Sequence, residues 1–237
     1  MMQKNAVQPQ KNDLKIGLLG GTFDPVHRGH LHIAEAACAQ FSLDALWFMP
    51  AGNPYFKAGT EVTPAEVRLA MTRAFAAPYA PRFVCCDIEA RQAGKTYTSE
   101  TLRELRRLVP DASFYFIIGA DSLYQLESWH EPEALFQSAT LLCAARPEAF
   151  GHILSEGHVH GEGERRRLPL AEEIARLTEK YHSVGCDIRC IDTPPLDISS
   201  TEIRSRCAAG TDISALVTPE VEAFIYQHGL YGAKPPS

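Results

Sequence analysis

Ile16-Gly17-Leu18-Leu19-Gly20-Gly21-Thr22-Phe23-Asp24-Pro25-Val26-His27-Arg28-Gly29-His30 decides how this chain is read. Ile16–Leu19 is a short apolar run bounded by glycine, as expected of a strand buried on both faces. After His30, the residues Ile33, Ala34, Ala37, Cys38 and Phe41 recur at helical spacing. The order is therefore strand, tight glycine turn, helix. Gly20 and Gly21 permit positive φ and leave no Cβ between a ligand and the backbone. The first turn of a helix offers unpaired N–H groups and the positive end of the dipole, so anions bind there. His27 and His30, three apart on a helix, are neighbours and would donate to one phosphate.

Other phosphate and metal motifs do not fit. Gly17-x-x-Gly20-Gly21 lacks the G-x-G-x-x-G spacing of a dinucleotide fingerprint, and no G-x-x-x-x-G-K-[ST] loop occurs. His27-x-x-His30 is not H-E-x-x-H, whose histidines are four apart with a glutamate between them. Near the other end, Ser199-x-x-Glu202 has the form of a capping box. It opens a second helix N-terminus, with Arg204 on its first turns.

GGTFDPVHRGH resembles the first signature of the HxGH nucleotidyltransferase superfamily, and Ile198-Ser199-Ser200-Thr201-Glu202-Ile203-Arg204 resembles its ISSTxIR box. The resemblance implies a doubly wound, Rossmann-like α/β fold, with helices on both faces of a parallel sheet. It also implies transfer of a nucleotidyl group from a nucleoside triphosphate to a phosphate-bearing acceptor. Segments in the middle of the chain narrow the acceptor. Pro54-Tyr55-Phe56-Lys57, Thr96–Leu102 (TYTSETL), Ile117–Leu123 (IIGADSL) followed by Trp129, and Arg146-Pro147 are similar to the PPHK, SYTxDTL, IIGxDSL…W and RPG segments of bacterial nicotinate mononucleotide adenylyltransferases. Val217–Val221 and Gly229-Leu230-Tyr231 look like that family's tail. Phe56, Glu100 and Glu148 depart from the pattern, standing where the family often has His, Asp and Gly.

The resemblance implies catalytic roles for His27, His30, Lys57 and Arg204. It places ATP against Gly20, Gly21, Thr22, Phe23, His27, His30, Asp121, Ile198, Ser199, Ser200, Thr201 and Arg204. The acceptor falls to Tyr97, Thr98, Thr101, Asp121, Trp129 and Arg146, with Trp129 stacked on the pyridine ring. No resident metal is implied; Mg²⁺ would arrive with ATP, held by substrate and water. A phosphopantetheine adenylyltransferase shares HxGH but is typically shorter and lacks the TYTxxTL and GADSL…W combination. A cytidylyltransferase has a different second box. A catalytically silent nucleotide-binding module is disfavoured by the presence of all four catalytic candidates.

The rest of the chain sets bounds. Its 237 residues, 45% hydrophobic and 22% charged, suit one sizeable α/β core. A net charge of -6 argues against a protein whose task is gripping nucleic acid. Residues 1–14 are polar and read as a flexible extension, 15–231 as a single nucleotidyltransferase domain, and 232–237 as a tail. There is neither a signal-peptide core nor a membrane-spanning run, and seven cysteines, an odd number, suit reduced thiols. The expected setting is cytoplasmic, with ATP and nicotinate mononucleotide as partners, no nucleic acid, no membrane, and a homo-oligomer left open.

Further strands are expected at Ala45–Met49, Phe83–Ile88, Phe114–Ile118, Leu141–Cys143 and Cys186–Ile191. A helix opened by a Thr63-Pro64-Ala65-Glu66 capping box, one after Thr98 and one over Leu170–Tyr181 should alternate with them. Residues 148–167, rich in Gly, His and Arg, read as a surface loop, His158-x-His160 as part of that solvated loop and Cys186-x-x-x-Cys190 as structural, neither as a metal site.

Overall fold

The computed structural model describes residues 14–52, 62–92, 94–144, 168–194 and 196–234. Lys57, Phe56, Arg146 and the expected loop at 148–167 lie outside them.

Six strands, all parallel, form one sheet: β1 (Leu14–Gly21), β2 (Ala45–Pro50), β3 (Phe83–Cys85), β4 (Ala112–Gly119), β5 (Thr140–Ala144) and β6 (Ile188–Ile191). Their order is β3-β2-β1-β4-β5-β6. Strands run outward from β1 in one direction and from β4 in the other, so the chain reverses direction across the sheet between these two. Crevices form at the carboxyl ends of the strands flanking such a switch point.

Side-chain alternation along the strands sorts the core into two layers. Leu19, Phe48, Ile117 and Leu142 face one side. They pack against α1 (Arg28–Phe41), α2 (Ala65–Ala76), α7 (Ser200–Ala209) and α8 (Pro219–Gln227) through residues such as Ala34, Phe75, Ile203 and Val221. Leu18, Phe116, Ile118 and Leu141 face the other side. There they meet α3 (Thr98–Leu108), α4 (Ala120–Tyr124), α5 (Pro132–Ser138) and α6 (Leu170–Lys180) through Leu102, Leu123, Leu135 and Leu177. Each such side chain, fully buried, contributes roughly 1.5–3 kcal/mol before chain entropy is charged against it. The α/β architecture with helices on both faces is the one expected from the alternating pattern. Among the described residues no helix is long and apolar enough to cross a membrane.

Several local expectations need correction. Gly20 and Gly21 do not turn: they are the last residues of β1, paired with Met49 and Pro50 of β2. The residue with positive φ is Phe23, at 51°. Gly21 is needed for space instead, because a Cβ there would come within 2.9 Å of the Phe23 ring. The Thr63–Glu66 capping box does not form. Pro64 is the N-cap of α2 and no side chain caps it; the Thr63 backbone is drawn elsewhere, as described below. β3 stops at Cys85, three residues early, and β6 starts at Ile188 rather than Cys186.

Candidate active site

His27 is the N-cap of α1 and His30 its N3 residue, so helix geometry alone brings the imidazoles together. Their ring centroids lie 3.7 Å apart, with His27 buried and His30 half-buried. The His27 N–H donates to His30 Nδ1 at 3.1 Å. Accepting there, a neutral His30 carries its proton on Nε2 and donates from the opposite edge of the ring. Gly29 makes room for this pair: a Cβ at that position would meet the His27 ring at 3.0 Å and Ile198 Cβ at 3.8 Å. The His-x-Gly-His spacing is therefore a packing requirement as well as a chemical one.

The helix mouth is less open than its sequence suggests. The Arg28 N–H, the first of α1, donates to Leu216 O at 2.9 Å, and that of His30 to His27 O at 2.9 Å. Two amides expected to face a ligand are thereby engaged within the protein. A phosphate bound at this helix would therefore meet side-chain donors more than backbone ones.

The second box lies against the first across nearly the whole length of the chain. Ser199 caps α7, its Oγ accepting from the Glu202 N–H at 3.1 Å, as the capping box predicts on that side. The Glu202 carboxylate does not complete the box; it pairs with Arg206 at 2.7 Å. Ser200 Oγ donates to Pro25 O at 2.9 Å. Arg204 donates through Nη1 to Asp24 O at 2.7 Å and through Nη2 to Thr201 Oγ1 at 3.2 Å. These bonds occupy two of the five N–H donors of a guanidinium. Two helix N-termini and one guanidinium thus converge on the turn that follows β1.

Asp24, inside the first box and without a role implied by the resemblance, is a hub. It is 3% exposed; Tyr231 Oη donates to Oδ1 at 2.7 Å and the Thr63 N–H to Oδ2 at 3.2 Å. Burial, with the Asp24 charge beside it, pushes the Tyr231 hydroxyl far above its ordinary value, so it stays a neutral donor. Arg68 was missed as well. One signal was available: a cation on the first turns of a helix opposes the macrodipole and needs a partner elsewhere.

Among the residues expected to receive the acceptor, Asp121 is exposed on the first turn of α4, directly beyond the carboxyl end of β4. Gly119 leaves open space where a side chain would stand. Trp129 is half-buried, its ring 6.5 Å from that of Phe116 in an edge-on arrangement. Tyr97, the N-cap of α3, lies tilted against His130 with centroids 4.2 Å apart, and His130 Nε2 lies 3.9 Å from Glu100. Thr98 is half-buried at the start of α3. Thr101 revises its expected share. It is 1% exposed and its hydroxyl donates to Glu89 Oε1 at 3.0 Å, so it faces inward in this structure. Burial raises the Glu89 carboxyl above its usual range, with the Thr101 hydrogen bond opposing the shift. Among the described residues no group of three His, Cys, Asp or Glu side chains is placed to hold a metal.

A parallel doubly wound sheet brings two helix N-termini, a histidine pair and an arginine together on the turn after β1, an arrangement suited to a nucleotidyltransferase. The model of the cytidylyltransferase-like family matches residues 18–206. A protein of Trichlorobacter lovleyi named "Probable nicotinate-nucleotide adenylyltransferase" is 43% identical over 92% of this chain and 99% of its own length. One of the same name from Exiguobacterium sibiricum is 41% identical, again over 92% and 99%. The chain belongs to the nicotinate-nucleotide adenylyltransferase family. In fold it is similar to the Plasmodium falciparum nicotinic acid mononucleotide adenylyltransferase solved with NaAD, at a TM-score of 0.64 and 20% identity, covering 94% of this chain and 99% of that one.

Proposed function

We propose that this protein transfers the adenylyl group of ATP to nicotinate mononucleotide, giving nicotinate adenine dinucleotide and pyrophosphate, a step of NAD biosynthesis. The observation that carries the reading is the convergence of Ser200 and Arg204 on the Asp24–Pro25 turn beside His27 and His30. It joins the two boxes into one phosphate site, in a chain whose relatives bear that activity in their name.

The acceptor's phosphate oxygen attacks the α-phosphorus of ATP in line. A new P–O bond forms, the bond to the β-phosphate oxygen breaks, and pyrophosphate leaves with the electron pair. The nucleophile is already anionic, so no activated Ser or Cys and no strong base is required; positioning and charge neutralisation supply the rate. His30 donates from Nε2 to the triphosphate, with His27 stacked on it holding its plane. Arg204 and Lys57 neutralise the charge that grows on the departing pyrophosphate.

Gly20 to Phe23 and Ile198 to Thr201 border the nucleotide. Asp121 contacts it at the far end of β4, and Tyr97, Thr98, Trp129 and Arg146 receive the acceptor. Mg²⁺ enters as part of the ATP substrate. A cytoplasmic setting accords with seven cysteines that are all free thiols.

Pyrophosphate release tests the reading. Purified protein is incubated with ATP, Mg²⁺ and, separately, nicotinate mononucleotide, nicotinamide mononucleotide and phosphopantetheine. Release is expected to be fastest with the first. Release with phosphopantetheine alone, or with none of the three, would overturn it.

A further inference from the structure

Arg68 is 1% exposed, and its guanidinium ends on three backbone carbonyls. Nε donates to Thr63 O at 2.7 Å, Nη1 to Thr22 O at 2.7 Å and Nη2 to Gly52 O at 2.8 Å. Those carbonyls belong to the turn after β1, the turn after β2 and the entry to α2. A cation buried on neutral carbonyls is costly, and an apolar side chain of similar volume would often be as stable or more so. Stability alone therefore gives little reason for it. The charge facing it is that of Asp24, foremost of the charges that oppose the loss of its proton to burial.

What the two residues share is Phe23. Arg68 holds the carbonyl on one side of it, at Thr22, while on the other side Asp24 is fixed by Tyr231, Thr63 and, through its own carbonyl, Arg204. Between these anchors Phe23 takes a left-handed φ of 51°, which a bulky residue rarely adopts unless its surroundings impose it. That conformation lays the Phe23 ring edge-on to His30, with centroids 4.9 Å apart. Gly52 fits the same frame, since a Cβ there would lie 2.4 Å from Glu89 O.

We propose that Arg68 and Asp24 are positioning residues for adenylyl transfer: together they hold the Phe23 turn that orients His30, and through the Asp24 carbonyl they set Arg204. The proposal rests on the adenylyl-transfer reading for its kinetic consequences, but not for its structural ones. Neither residue touches the reacting atoms in this account.

The test replaces Arg68 by Lys and by Met, and Tyr231 by Phe, in the full chain. Each variant is characterised by thermal melting, by kcat and both KM values, and by the imidazole NMR signals of His30 with and without a non-hydrolysable ATP analogue. Displacing catalytic groups by about 1 Å costs on the order of 100-fold in rate, so Arg68→Lys and Arg68→Met should lose kcat to roughly that extent. The acceptor KM should hold within about threefold, and the His30 signals should move. Tyr231→Phe removes one hydroxyl from Asp24; it should lower kcat by a smaller factor in the same pattern, and serves if the Arg68 variants do not fold. Folded variants with wild-type kcat and unmoved His30 signals would overturn the proposal, leaving the adenylyl-transfer reading intact. A wild-type protein inactive with every pyridine nucleotide would sink that reading, while the His30 signals would still decide whether Arg68 sets the ring.

Discussion

The two ends of the site are built differently. At the proposed phosphate end several elements are tied to others far away in the chain: Ser200 to Pro25, Arg204 and Tyr231 to Asp24, Arg28 to Leu216. Its central groups, Asp24, His27 and Arg68, are all less than a tenth exposed. The proposed acceptor end has ring contacts, Tyr97 tilted against His130 and Trp129 edge-on to Phe116, beside one buried bond from Thr101 to Glu89, with Asp121 exposed. The proposed in-line displacement, without a protein nucleophile, would depend on where charges stand, which fits an over-determined frame at the end proposed to carry it. Recognition of a flat ring by stacking tolerates a looser frame.

The contrast predicts how damage divides. His30→Ala should lower kcat by about 10²–10⁴-fold, the range for losing a donor aimed at developing charge, while the lost bond to the His27 N–H lowers the melting temperature by only a few degrees. Steady-state kinetics beside a thermal melt checks it, and wild-type turnover would remove His30 from the mechanism. Trp129→Ala should act at the other end, raising the acceptor KM about tenfold, in line with roughly 1.4 kcal/mol of lost stacking, while kcat and the ATP KM change little. An equal fall in kcat would mean that the acceptor end shares in positioning, and the contrast would fail.

The smallest effect lies outside the site. Glu127 receives Arg176 and Lys180 from α6, which hold its carboxyl down to about 2. A carboxylate depressed on folding contributes stability above its unfolded value, about 4.3, and loses it as pH falls toward 2. The group is a third exposed, so Glu127→Gln should cost at most about 1 kcal/mol at pH 7. Denaturant titrations should show the difference shrinking below about pH 4, with kcat at neutral pH unchanged.

Much of the phosphate end was legible because its signals are local. Apolar runs mark the central strands, the spacing of His27 and His30 is a helical one, and Ser199 caps α7 through Glu202 as its box predicts. What escaped reading is long-range. Gly20 and Gly21 looked like a turn because glycine permits both a turn and a close approach, and only the Phe23 ring decides between them. Thr63 looked like a cap, but Asp24 and Arg68 take its amide and carbonyl. Arg68 carries no motif at all, because its three acceptors are backbone carbonyls, which any sequence supplies. Thr101 illustrates the converse: a hydroxyl in a recognisable box can face inward, and only its contact with Glu89 reveals which way it points.

In the proposed mechanism adenylyl transfer proceeds in one displacement, with His30 a donor held in place by His27 and neither imidazole a nucleophile. The stereochemical course at the α-phosphorus tests it most directly, using ATP made chiral there with oxygen isotopes and nicotinate mononucleotide as acceptor. A single in-line attack inverts the configuration, and inversion is the predicted result. Retention would require two successive displacements through an adenylylated side chain, and would contradict the account.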